Sequence, residues 1–405
     1  MSGPSTMTAT ATGKEKEKEF SGGGHLSAAA LAVVAFAAAK LMHRRLTTLR
    51  AKTAERCMPK VEDIILGGST FAGMYEPISE EEVFVVLKEA LDVGITQIDT
   101  APHYGLGVSE ERIGAFLRRN RQLPNPLTKK AEENLKVWTK VGRLIRKRED
   151  VDKTIDAKDV QWDNVSDHPK CIFKGIPNDR VPVLDYSSGG AQASFTDSEK
   201  RLGEGYIAGL RVHDCESDAL LEATISPGDG ALAGLHSLKA SGKVESIGLG
   251  VNDPSYALRA LSAPKGVGQM IDTVMIAGKW NLLDQSAFEL LCVCQKRGIR
   301  VHNAGVFASG LLVGGSTYAY APAPRAMIDK ARRWRVLCQK YDLKIQSVAL
   351  AFAFMPTCVT RVAIGVKTCE ELNENLSSIK YKVPRELWLD AKKEGLLLPF
   401  IQLPK

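Results

Sequence analysis

From Val61 onward, short β-branched apolar runs alternate with longer segments whose apolar residues recur at helical spacing. The runs 64–68, 95–99, 137–140, 206–212, 246–250, 272–276, 300–304 and 359–364 predict eight strands. A helix follows each. SEEEVFVVLKEAL opens on Ser79 with Glu82 three residues on, a capping box, and SEERIGAFLRR repeats the pattern from Ser109 with Glu110 and Glu111 in its first turn. Later helices are predicted over 194–202, 231–241, 255–261, 286–297, 324–341 and 370–379. Eight strand–helix units with no Pro-, Gly- or Ser-rich separator predict one (β/α)8 TIM barrel domain over residues 59–405, with a doubly wound open sheet as the alternative. Residues 121–135 and 145–190 break the rhythm. They are polar, rich in Pro, Asp and Lys, and flank the third strand, so they read as long loops, the second placed to cover the barrel mouth.

Residues 1–58 follow neither period. The first 21 are Thr, Ala and Gly with a GKEKEKEF run, a composition expected to be disordered. Residues 26–42 (LSAAALAVVAFAAAKLM) are apolar apart from Ser27 and Lys40, and HRRLTTLRAK follows with the charge expected on the cytoplasmic side of a membrane segment. The stretch is shorter than the ~20 residues that span a bilayer. An anchor, a targeting peptide and an amphipathic helix all stay open for it.

Composition sharpens that division. The 405 residues carry 44% hydrophobic and 25% charged side chains and a net charge of +7. The tail holds nine Lys/Arg against four Glu and so accounts for +5 of it. A nearly neutral body has no basic stripe for phosphates, which argues against nucleic-acid binding. Eight cysteines with no CxxC pair form neither a disulfide framework nor a zinc site, and they read as reduced, buried thiols. Reduced thiols predict a cytoplasmic catalytic body, with anchoring or organelle targeting left to the tail.

No GxxxxGK[ST] loop, HExxH helix, GxSxG elbow or Rossmann glycine set is present, and no tyrosine has a lysine four residues later. In a barrel of this kind the chemistry sits at the C-terminal ends of several strands. Those ends carry Asp99 and Tyr104 (IDTAPHYG), Lys140 (VWTK), His213 (LRVHD) and Asn252 (GLGVND). A tyrosine can move a proton near neutral pH only if a cation offsets its reference pKa of ~10. Lysine at ~4 Å supplies at most ~4 kcal/mol at an effective dielectric of ~20, about three pKa units. The arrangement predicts Tyr104 as general acid or base, Lys140 as its cation, Asp99 as the counter-ion holding Lys140, and His213 as a hydrogen-bond partner of the substrate oxygen.

IDTAPHYG, WTK, VHD, GVN, GVFASGLLVGG and IGVKTCEELNENL together resemble the aldo-keto reductase superfamily from Val61 to the C-terminus. LGGSTFAGMYEPISEEE, DTAPHYGLGVSEERIG, WNLLDQSAFELL and YAYAPAP resemble its D-threo-aldose 1-dehydrogenase group, which is similar to L-fucose and L-galactose dehydrogenases. The resemblance implies a nicotinamide cofactor bound without a Rossmann domain, direct hydride transfer, and the four catalytic roles above. It also implies Asn252 at the nicotinamide carboxamide, Gly310 and Leu311 at the pyrophosphate, and Gly365, Lys367, Glu371 and Asn375 along the adenosine. Three positions depart from many relatives: Ala277 stands for a Gln, Ala304 for a stacking aromatic, and Glu371 near an Arg that holds the 2′-phosphate. A carboxylate at Glu371 repels a 2′-phosphate and favours NAD over NADP, while Lys367 pulls the other way.

The expected activity is therefore NAD(P)-dependent oxidation of an aldose at its anomeric hydroxyl to an aldonolactone, with Phe71, Tyr75 and Trp280 as candidate walls of the sugar site. Alternatives are an NADPH-dependent aldehyde or ketone reductase and a cofactor-binding regulatory subunit of the same fold.

Overall fold

The computed structural model describes residues 59–120, 134–154 and 159–404. The tail and its apolar segment 26–42 lie outside the described residues, as do residues 121–133 of the first predicted loop. Among the described residues no helix is long and apolar enough to cross a membrane.

Among the described residues twelve strands form: β1 (Ile64–Gly67), β2 (Gln97–Asp99), β3 (Lys136–Val141), β4 (Arg143–Lys147), β5 (Arg180–Leu184), β6 (Ile207–His213), β7 (Ser246–Val251), β8 (Thr273–Ala277), β9 (Arg300–Ala304), β10 (Thr317–Tyr318), β11 (Ala321–Pro322) and β12 (Val359–Gly365). Eight of them close a parallel barrel in the order β1-β12-β9-β8-β7-β6-β3-β2. These are the eight predicted runs, to within two residues at each end. The outward positions Leu210, Val212, Ile247, Leu249, Val274 and Val301 are fully buried under the helical layer. Pairing of β6 with β3 sets Arg211 beside Lys140, and its pairing with β7 sets His213 beside Gly250.

Twelve helices are described: α1 (Glu80–Asp92), α2 (Val108–Asn120), α3 (Arg148–Thr154), α4 (Ser188–Leu202), α5 (Asp218–Ile225), α6 (Ala231–Ala240), α7 (Pro254–Leu261), α8 (Phe288–Arg297), α9 (Arg325–Lys340), α10 (Ile345–Ala353), α11 (Cys369–Ser378) and α12 (Arg385–Lys393). The capping box at Ser79 and Glu82 forms in both directions. The one expected at Ser109 does not. α2 begins a residue earlier, and Ser109 Oγ instead donates to the Gly68 carbonyl and bonds Thr100 Oγ1 in the interior. Glu110 is fully buried, accepting from Thr139 Oγ1 and Arg201 Nε, so burial and not helix-end solvation decided that turn. α3, α5, α10 and α12 lie outside the predicted helices; α10 is nearly all apolar and carries no polar face to betray its period.

The stretch 145–190 is not simply a loop. β4 and β5 pair antiparallel from Arg143↔Leu184 to Lys147↔Arg180, and Leu144, Val151, Val160, Val165, Val181 and Val183 make a small core of their own. The pairing joins residues about forty apart across polar chain, which hid the alternation. Between β4 and β5 the chain places Asn164, Lys170, Ile172 and Phe173 along the cavity at the barrel mouth.

Candidate active site

A cavity of about 1000 Å³ opens at the C-terminal ends of the barrel strands. Asp99, Tyr104, Lys140, His213 and Asn252 all line it. Asp99 ends β2, and the chain then turns tightly through Gly105 (φ 63°) and Leu106 (φ 55°) into α2, which brings Tyr104 back across the barrel axis. Gly250 lies against the Lys140 and Arg211 stems, where an added Cβ would make ordinary contact at 3.4 Å from Lys140 Cε.

Lys140 is 2% exposed and spends all three of its N–H bonds: on Asp99 Oδ1 at 2.5 Å, the Thr100 carbonyl at 2.8 Å and Tyr104 Oη at 3.0 Å. The His213 ring meets the Tyr104 ring edge-on at 5.8 Å between centroids, and Tyr186 Oη donates to the His213 carbonyl at 2.5 Å. Burial is the largest influence on each of these groups. It pushes the Tyr104 phenol well above its ordinary value, with the Asp99 and Asp214 carboxylates adding to the rise and Arg211 and Arg143 opposing it. The expectation that Lys140 brings Tyr104 toward neutrality is thereby corrected: desolvation outweighs the cations, and the resting tyrosine keeps its proton. Burial likewise lowers Lys140, with Asp99 opposing, and drives His213 and His103 well below the ordinary imidazole range, so both rings are neutral at pH 7.

Above Tyr104 the wall combines rings and polar groups. Phe173 and His103 pack edge-on, and Arg143 from β4 pairs with Asp214 at 3.1 Å and donates to Gln161 Oε1 at 2.7 Å. Asp214, at φ 45°, also accepts from Asn252 Nδ2 at 3.0 Å and so links the His213 side of the cavity to Asn252. Tyr75 lines this region, as expected. Phe71 and Trp280 do not: Phe71 is fully buried in the turn after β1, and Trp280 stacks on Phe352 at 4.8 Å within the core. Trp280 lies between Phe288 and Phe352 and Phe71 follows β1 into the interior, so both rings fill core space.

The cavity continues from Asn252 to Gly310, Gly365, Glu371 and Asn375, the positions expected to hold a cofactor. Along this arm the lining is small, through Gly67, Gly68, Ala277, Gly278 and Gly305, and Ala308, Ser309 and Gly310 follow one another in the left-handed conformation. Such a backbone admits the close approach that a dinucleotide requires. Two expected contacts turn elsewhere. Leu311 is buried beneath the turn, and the Lys367 side chain pairs with Glu76 at 2.7 Å while its N–H donates to Glu371 Oε2.

Arg143, Asp214, Phe173 and Arg211 escaped sequence reading. Arg211 carried a legible signal, since it lies two residues before His213 in one strand and so on the same face. Phe173 carried none, because a long insertion delivers it.

The fold and site define a barrel oxidoreductase whose proton-handling tyrosine is held by a buried lysine–aspartate pair. The chain belongs to the aldo/keto reductase family, whose profile matches residues 63–390, and it is an NAD(P)-dependent oxidoreductase. It is 31% identical to pyridoxal 4-dehydrogenase of Microbacterium luteolum and 29% identical to D-threo-aldose 1-dehydrogenase of a Pseudomonas species, each alignment covering 82% of this chain and 93% of the relative. Among solved structures, an aldo-keto reductase of Bacillus halodurans aligns with TM-score 0.59 at 19% identity, over 84% of this chain and 93% of that one, a likeness of fold.

Proposed function

We propose that this enzyme oxidises a cyclic hemiacetal, an aldose in its ring form, to the corresponding lactone, with Tyr104 as the proton acceptor. The observation that carries the reading is the Tyr104 hydroxyl, 3.0 Å from Lys140 Nζ, in a cavity whose wall offers Arg143, Asp214 and His103 as partners for ring hydroxyls. A bound nicotinamide would take up hydride from the anomeric carbon. Asn252, Gly310, Gly365, Glu371 and Asn375 would hold the cofactor, and Glu371 at the far end favours a free ribose hydroxyl, hence NAD.

The chain's own part is proton control. In oxidation the ionised Tyr104 takes the proton of the anomeric hydroxyl, its oxygen held by the N–H bond from Lys140, and in reduction the phenol returns that proton; neutral His213 can hydrogen-bond the reacting oxygen without carrying charge. Because burial holds Tyr104 above its ordinary value, oxidation should quicken as pH rises and reduction should slow. The relatives named for an aldose and for pyridoxal support the substrate class, because each of those aldehydes bears a hydroxyl within reach of its carbonyl and closes to a hemiacetal.

Initial rates with L-fucose, L-galactose, D-arabinose and pyridoxal, each with NAD and with NADP, test the reading. Turnover confined to simple aldehydes with NADPH would overturn it in favour of a general carbonyl reductase. Any membrane contact or targeting belongs to residues 1–58, and a chain lacking them is expected to keep full turnover.

A further inference from the structure

We propose that Arg211 is a positioning residue for the reaction: it takes one oxygen of Asp99, leaves the barrel interior with a surplus positive charge beneath Tyr104, and thereby eases ionisation of the tyrosine. The proposal rests on the reading of Tyr104 as the proton-handling group.

Arg211 is fully buried inside the barrel. Its Nη1 bonds Asp99 Oδ2, while Lys140 holds Oδ1 of the same carboxylate. Its Nη2 meets His302 Nδ1 at 2.5 Å, and its guanidinium lies over the Trp138 ring at 4.4 Å. A Cβ at residue 209 would strike that ring, so Gly209 makes the room for this stack. His302 is kept neutral by burial and by the neighbouring Arg211 and Arg300, and must accept the Arg211 proton at Nδ1. Two cations therefore share one carboxylate, the only acidic group that Arg211 pairs with among the described residues.

That arrangement is costly. A buried ion pair is at best near break-even against apolar side chains of the same volume, and a second cation without its own counter-ion is worse. Lys140 and Asp99 alone would make a neutral pair, and the aspartate would then oppose a negative charge on Tyr104. With Oδ2 occupied by Arg211, the charge of Asp99 is offset and Lys140 faces the phenol as a net cation. The remaining charged or titratable groups around Tyr104 are Arg143 on β4, His213 and Asp214 from β6, His103 on its own loop and Tyr320 from the β10–β11 ribbon. The Arg143–Asp214 pair is balanced within itself, which leaves Arg211 as the source of the surplus.

The test compares Arg211→Met, Arg211→Gln and Arg211→Lys in the full chain. Readouts are kcat and KM for hemiacetal oxidation across pH, and the ultraviolet tyrosinate titration taken as the difference from the same protein carrying Tyr104→Phe. The neutral variants should lower kcat about tenfold at a given pH, with KM little changed, and move the Tyr104 titration up by about one unit. Arg211→Lys should restore both. If Arg211→Gln, which keeps hydrogen-bonding capacity, titrates and turns over like wild type, or if Arg211→Lys is as impaired as Arg211→Met, the charge is not what matters and the proposal fails. Should Tyr104→Phe itself retain full turnover, the reading of Tyr104 fails first, and the two failures are thus distinct.

Discussion

Replacing Lys140 with methionine removes the ammonium and keeps the stem, so it isolates the charge. The ammonium lies 3.0 Å from the Tyr104 oxygen. At that separation and an effective dielectric of ~20, attraction to a tyrosinate has a ceiling of about 5.5 kcal/mol, or about four pKa units. Arg211 and Arg143 remain and recover part of this, so kcat should fall by about 10² to 10⁴, the range typical of losing acid–base assistance. Asp99 keeps Arg211 as a partner, so no carboxylate is left buried alone, and the barrel should fold with a loss smaller than the ~3–5 kcal/mol of breaking an isolated buried pair. The assay is hemiacetal oxidation across pH, with cofactor binding followed by tryptophan fluorescence to show an intact site. The oxidation limb should shift to higher pH while cofactor affinity holds. A Lys140→Met enzyme within tenfold of wild-type kcat, its limb unmoved, would refute the claim that this cation governs Tyr104.

Three further outcomes follow from the same structure. His103, His213 and His302 are all driven well below the ordinary imidazole value by burial. The unfolded chain therefore binds protons that the folded one refuses as pH drops below about 6.5, and stability should fall by up to about 4 kcal/mol per pH unit there; urea midpoints at pH 7, 6 and 5.5 that coincide would contradict it. Glu110→Ala strands Arg201 and Thr139 without their acceptor and should cost about 3–5 kcal/mol in denaturant titration, with kcat per folded molecule retained. Glu371→Arg should raise the ratio of kcat/KM for NADP over that for NAD at least about tenfold, and an unchanged ratio would separate Glu371 from the cofactor ribose.

The contrast between α4 and α2 shows how legibility in the sequence depends on the range of the forces involved. Residues 194–202 announce a helix through local period alone, and the Ser187 cap starts it earlier, at Ser188, through a Gly-Gly turn that carries no apolar period. At Ser109 an equally good local signal failed, because tertiary burial drew the hydroxyl to Gly68 and Thr100. Phe71 and Trp280 were misplaced for a related reason: an aromatic residue next to a site reads the same whether it faces the cavity or the core.

The barrel, its eight strand ends and the residues Asp99, Tyr104, Lys140 and His213 near them are legible along the chain, because strand period and strand order follow from local patterning and short connections. How those residues are charged, and which neighbours share them, depends on the packed barrel. Desolvation depends on how completely the barrel and the 145–190 segment close over a phenol, and it outweighs the lysine that sequence alone would credit. The pairing of Arg211 with Asp99 joins residues 112 apart, across a barrel interior that no linear pattern describes.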